Sequence, residues 1–207
     1  MSKIEDNEAF VREVQAVLGV GVDGHAGPRT VSAWRAKEGV AGSSSETPDS
    51  ELIAALKQDE GLRLKAYPDP LSPRAKTGKG SGDPWSIGYG RAHGIKEGDV
   101  ITEAVAEKWL IEDAQSHNKV IHRALPWLKD LDPVRRRVIE NMHFNMGWDN
   151  PKTPAFEGLS GFKNTLEAVR TGRYAQAAAG MLASLWAKQV KGRAVRLAHE
   201  MQTGRVG

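Results

Sequence analysis

Apolar positions Leu52, Ile53 and Leu56 fall one helical turn apart in the stretch Ser50-Glu51-Leu52-Ile53-Ala54-Ala55-Leu56-Lys57-Gln58-Asp59-Glu60-Gly61. That spacing predicts an amphipathic helix, capped by Asp49 or Ser50 and stopped by Gly61. The period then changes. Leu62, Leu64 and Ala66 alternate with Arg63 and Lys65, which predicts a strand. A Gly- and Pro-rich run to Pro84 reads as turns and loop. Trp85-Ser86-Ile87-Gly88-Tyr89-Gly90 reads as a second strand, giving a small β-hairpin. From Thr102 onward the pattern is helical. One helix opens at Thr102-Glu103 with Ala106, Trp109, Leu110 and Ala114 on one face. Another opens at Asp132-Pro133 with Val134, Val138, Ile139, Met142 and Phe144 on its apolar side. Proline suits a first helical position, where no N–H is needed.

The N-terminal stretch has its own pattern. Phe10, Val11, Val14, Val17 and Leu18 recur at helical spacing. A turn-rich stretch Gly19 to Gly24 comes next, then a second helical segment, Thr30 to Lys37, with Val31 and Trp34 on one face. Residues 40–50, VAGSSSETPDS, have no apolar period and a linker composition. The expected organisation is a small helical module over 1–39, a linker over 40–49 and a larger domain over 50–207. The expected class is α+β and mostly helical, with a β-hairpin lobe and a helical lobe.

Composition narrows the chemistry. The 207 residues are 40% hydrophobic and 27% charged, in the ordinary globular range. Cysteine is absent, which excludes disulfides, thiolate metal sites and a cysteine nucleophile. MSKIEDNEAFVREVQ holds no continuous apolar run, so neither a cleaved signal peptide nor a membrane anchor is expected. The net charge of +3 is unevenly placed. Residues 1–47 carry five Lys/Arg against seven Asp/Glu, leaving 24 against 19 for the rest. A mildly basic domain favours an anionic polymer. No basic cluster interleaved with aromatics appears, so no nucleic-acid partner is expected. His93, His117, His122, His143 and His199 have no metal-ligand spacing, and no metal or other cofactor is expected.

Glu60 stands out because it is placed against local stability. It falls on the last turn of a helix, where the dipole favours positive charge. A locally broken rule points toward function. Asp69 and Asp83 supply further carboxylates in the hairpin region. Paired carboxyl groups are what glycoside hydrolysis needs: one protonates the leaving oxygen, the other activates water, attacks the sugar or stabilises the transition state.

Glu60-Gly61-Leu62-Arg63-Leu64-Lys65-Ala66-Tyr67-Pro68-Asp69, followed by Trp85-Ser86-Ile87-Gly88-Tyr89-Gly90, resembles the phage-type lysozyme family. The resemblance extends through Asp132 to Gly147, Gly158 to Leu166, Trp186 and Gly192-Arg193-Ala194, covering nearly all of 50–205. It implies a catalytic triad of Glu60, Asp69 and Ser86, with Glu60 as acid and Asp69 and Ser86 holding the attacking water. It also implies an inverting mechanism, Arg193 as partner of Glu60, and Asn145 near the substrate. Two departures stand out. Ser86 replaces the usual Thr, keeping the hydroxyl and losing a methyl. The loop from Asp69 to Ser86 is longer than usual and adds Asp83 as a competing carboxylate. The E-x8-D spacing and the preceding Tyr67 favour Asp69.

The N-terminal piece resembles the peptidoglycan-binding modules of wall hydrolases, through Val14 to Gly19, then V-D-G-x-x-G-P-x-T with Asp23, Gly24, Gly27, Pro28 and Thr30, then Trp34. It departs in length, because the linker starts soon after Lys37. The resemblance implies an endolysin acting on bacterial peptidoglycan, held in the host cytoplasm until a holin releases it, and monomeric. A lytic transglycosylase, which needs only the Glu, is the competing enzyme class. A wall-binding or membrane-active protein without catalysis is the competing non-enzyme. The basic C-terminal residues Lys188, Lys191, Arg193, Arg196 and Arg205, interleaved with apolar ones, read as a packing helix with a basic outer face or as a contact for an anionic membrane.

Overall fold

The computed structural model describes residues 48–69, 72–149 and 158–207, together with the isolated positions 12 and 16. The chain divides into two compact units, 1–45 and 46–207. Asp23, Gly24, Gly27, Pro28, Thr30 and Trp34 lie outside the described residues.

In the second unit the order of elements is α1 (Ser50–Glu60), β1 (Arg63–Pro68), α2 (Pro73–Thr77), β2 (Trp85–Gly88), α3 (Glu103–Ala124), α4 (Pro133–Met146), α5 (Lys163–Arg170), α6 (Tyr174–Ala183), α7 (Leu185–Val190) and α8 (Gly192–Thr203). Short 3-10 turns at Pro126–Asp130 and Leu159–Gly161 join the longer helices. The fold is therefore α+β and mostly helical.

Local chemistry sets most of the boundaries. Asp49 caps α1 by accepting from the Leu52 N–H at 2.7 Å. Thr102 and Asp132 do the same for α3 and α4, and Pro133 occupies the first position of α4. Gly61, at φ 68°, takes a backbone conformation that a side chain would strain, and it ends α1. The structure departs from the sequence expectation between the strands. The loop there contains the helix α2, started by the Ser72 hydroxyl and Pro73. The density of Gly and Pro around it conceals that signal in the sequence.

β1 and β2 pair antiparallel, with Tyr67 opposite Ser86 and Pro68 opposite Trp85. An irregularity between Arg63 and Tyr67 bends β1. Ile101 N–H donates to Leu64 O, and Ala66 N–H to Asp99 O, so the segment after the hairpin flanks the other edge of β1.

Two apolar clusters form the core. The first joins Leu52, Ile53 and Leu56 of α1 to Tyr89 and to Ala106, Leu110 and Ala114 of α3. The second is larger and gathers α4 to α8 around Ile139, Met142, Met181, Leu197 and Met201. Leu56 is fully buried. Its truncation to Ala is expected to cost about 2–5 kcal/mol. The helix α8 does not turn all its basic residues outward. Arg193 and Arg196 face the interior, where Asp59, Glu60 and Glu200 lie, while Lys188, Lys191 and Arg205 are exposed. Among the described residues no helix is long and apolar enough to cross a membrane.

Candidate active site

Glu60 is the last residue of α1. The dipole penalty there is offset by a cation from the other end of the domain: Arg193 Nη1 donates to Glu60 Oε1 at 2.8 Å. Arg193 is held in turn. Its Nε donates to Asn141 Oδ1 at 2.9 Å and its Nη2 to Asn141 O at 3.3 Å. Asp59, the neighbour of Glu60, lies 3.2 Å from Arg193 Nε and accepts from Arg196 Nη2 with both oxygens at 2.7 Å. Asn141 Nδ2 donates to Asp59 Oδ2 at 2.9 Å, and Arg196 Nη1 reaches Glu200 at 3.3 Å. Arg193 and Asp59 are 8% and 6% exposed, whereas Glu60 keeps 22%. The carboxylate of Glu60 is thus braced from behind and open in front.

The hairpin brings together Asp69 and Ser86, the other two positions expected from the sequence. Asp69 N–H donates to Pro84 O at 2.9 Å, continuing the strand pairing past β1. Ser86 is buried, and its Oγ donates to Asp69 Oδ2 at 2.9 Å. Asp83 is placed differently. It is exposed, accepts from Ser81 Oγ at 2.7 Å, and its own N–H returns to that hydroxyl. Gly82 lies against the Trp85 ring, which leaves no room for a Cβ there.

Tyr67 lies between the two carboxylates electrostatically. Burial holds its phenol above the usual value, and the negative charges of Asp69 and Glu60 add to that. The Arg63 guanidinium, 4.4 Å from the ring centroid, and a hydrogen bond with Ser86 oppose it.

Glu60 opens into a cleft of about 320 Å³ lined also by Tyr89, Arg91, Asp113, His117 and Asn145. Asn145 Oδ1 accepts from Trp186 Nε1 at 2.9 Å, so a tryptophan only 4% exposed sets this cleft amide from the core. Burial raises the pKa of Asp113, opposed by Arg91, whose Nη1 lies 3.7 Å away and whose guanidinium stacks on Trp109. Among the described residues no group of three or more His, Asp or Glu is arranged to hold a metal.

Sequence reasoning missed Asp59, Asn141 and Arg196, along with the cleft residues Arg91, Asp113 and His117. One signal was available. Arg193 and Arg196 are three apart on one helix face, and two adjacent acids, Asp59 and Glu60, need partners.

The class these features define is a two-lobed α+β domain with a glycosidase-type set of side chains at its cleft and hairpin. The chain belongs to the phage lysozyme family, a family of glycoside hydrolases, which it matches over residues 57–200. A probable T4-type lysozyme 1 of Dictyostelium discoideum is 29% identical over 171 residues, covering 75% of this chain and 95% of that protein. The pre-baseplate central spike protein Gp5 of Enterobacteria phage T4 is 27% identical over 186 residues, 78% of this chain. An endolysin of Acyrthosiphon pisum secondary endosymbiont phage 1 is 41% identical over 61 residues, 30% of this chain. The matches span only 29% of the spike protein and 34% of the endolysin.

Proposed function

We propose that this protein is an endolysin-type muramidase, hydrolysing the β-1,4 bond between N-acetylmuramic acid and N-acetylglucosamine in bacterial peptidoglycan. The observation that carries the reading is the pairing of two separate arrangements: Glu60 braced by Arg193 at the cleft, and Asp69 bonded to the buried Ser86 hydroxyl. Glu60 donates its proton to the leaving glycosidic oxygen. Asp69 and the Ser86 hydroxyl hold the water, and the Asp69 carboxylate takes up its proton as it attacks the anomeric carbon, giving an inverted product. Asn145 and Tyr67 contact or order the sugar chain beside them.

The same geometry favours hydrolysis over transglycosylation, which has no use for an ordered Asp–Ser pair. Residues 1–39 act as a wall-binding module, tethered by the linker over 40–49, and raise the local concentration of the catalytic domain on its polymer. The monomeric enzyme waits in the host cytoplasm, reaches the wall through a holin and brings about lysis. The exposed Lys188, Lys191 and Arg205 leave room for a weak anionic membrane contact.

The test is turbidity loss of purified peptidoglycan with product ends counted, for wild type, Glu60→Gln and Asp69→Asn. Reducing ends from wild type and near-complete loss in both variants support the assignment. Anhydro ends indicate transglycosylation. Full activity of Glu60→Gln removes catalysis by this residue altogether.

A further inference from the structure

Helix α3 runs through both apolar clusters, with Ala106, Leu110 and Ala114 in the first and Ile121 in the second. His117 sits at the changeover. On α4 the changeover falls at His143, between Met142 of the second cluster and Phe144, which packs on the first. The two imidazoles meet there, with ring centroids 5.0 Å apart and planes at 67°. His143 is 2% exposed, and neither of its ring nitrogens has a hydrogen-bond partner among the described residues. His117 Nδ1 also lacks one. His117 further packs on the Phe144 ring at 5.0 Å, and both line the cleft with Glu60.

The surrounding charges are committed elsewhere. From α1, Asp59 and Glu60 are held by Arg196 and Arg193 of α8, and Glu200 of α8 pairs with Arg196. Glu140 of α4 pairs with His122 of α3 at 2.7 Å, and Arg136 lies 3.6 Å from it. Asp113 of α3 acts on His117 and faces Arg91 at the other side. The 3-10 turn Leu159–Gly161 brings no ionisable group to α4. Among the described residues a proton on His143 therefore has no anion waiting for it.

We propose that the His117–His143 pair is an acid-sensitive joint between the two lobes, at which proton uptake separates α3 from α4 and widens the cleft into which Glu60 opens. Burial pushes His143 down to about 4, with the charge of His117 adding to it. Burial also lowers His117, opposed by Asp113 and by a hydrogen bond to the His143 backbone. Both values lie below those of the unfolded chain. The stability tied to neutral imidazoles is therefore complete above about pH 6.5 and is lost as pH falls toward 4.

The test uses the full chain. Thermal unfolding of wild type and His143→Leu is followed from pH 7 to 4. In parallel, spin labels on Lys65→Cys and Ala175→Cys report the distance between lobes, a clean pairing because the chain has no native cysteine. The Tm of wild type is expected to fall by about 5 °C or more beyond that of His143→Leu. The labels separate in acid only when His143 is present. An identical acid profile in His143→Leu, or label separation that persists in it, overturns the proposal. Should His143→Leu fail to fold, the imidazole C–H resonances of wild type decide. Titration of His143 near 4 supports the joint, and titration near 6.5 refutes it. None of these readouts uses catalysis, so their failure leaves the hydrolase reading standing.

Discussion

Replacing Arg193 with Ala removes the brace of Glu60 without touching the carboxylate. The side chain makes three hydrogen bonds, two to Asn141 and one to Glu60, and an ion pair with Asp59. Breaking one partner of a buried pair costs about 3–5 kcal/mol when the remaining charge is left alone. Here Asp59 keeps both bonds from Arg196, and Glu60 is 22% exposed, so water solvates part of what is lost. The lower end, about 3 kcal/mol, is expected. For a domain of this size that is a Tm drop of about 6–12 °C. Activity should fall further than the folded fraction explains, because Glu60 loses its fixed position. The assay is a double-mutant cycle of Arg193→Ala and Glu60→Gln, read by thermal unfolding and by release of reducing ends from purified peptidoglycan. If Arg193 acts through Glu60, its stability effect shrinks by about 1 kcal/mol or more in the Glu60→Gln background. Strict additivity, or an Arg193→Ala enzyme with wild-type turnover, refutes the reasoning.

Ser86→Ala removes the donor to Asp69 and is expected to lower activity at least about tenfold, the loss of a hydrogen bond to a charged group, while Asp83→Asn, on an exposed carboxylate bonded to Ser81, leaves activity near wild type in the same assay. Glu140→Ala strands His122 in the core, both partners being 5% exposed or less, and should cost about 3 kcal/mol or more in chemical denaturation. Gly204→Ala places a Cβ 2.6 Å from Arg135 Nη1 at a φ of 67°, and should cost about 1–2 kcal/mol by the same measurement. Asp132 caps α4. Burial raises its pKa, but the backbone N–H and guanidinium of Arg135 outweigh that and leave it lowered. The stability it confers is present above about pH 4 and disappears below, so Asp132→Ala should differ from wild type in Tm at pH 7 and converge with it near pH 2.

Helix ends were legible in the sequence because caps are local. Asp49, Gly61, Thr102 and Asp132-Pro133 act on groups within a few residues, and each sits where a boundary falls. The hairpin was legible through its period of two. The pairing of Arg193 with Glu60 was legible only through the family resemblance, and the Asp59–Arg196 pair behind it was not, because those residues are 137 positions apart and neither disturbs a periodic pattern. Arg196 looked like part of an outer basic face since charge is usually solvated, and only the buried Asp59 opposite it reverses that. On α4 the polar residues Glu140, Asn141 and His143 lie buried within an otherwise apolar run. Their partners come from α1, α3 and α8, which sequence spacing cannot pair.

The long span between Glu60 and Arg193 also bears on how the protein is made. The acid is among the early residues of its domain and its brace lies 133 positions downstream. At ordinary rates of translation, about 5–20 residues per second, roughly 7–27 s separate the synthesis of the two. Throughout that interval the Arg193 guanidinium is not yet available to Glu60. Completion of the last helix therefore finishes the site, so a prematurely terminated chain releases fragments lacking the brace and not a shortened working enzyme.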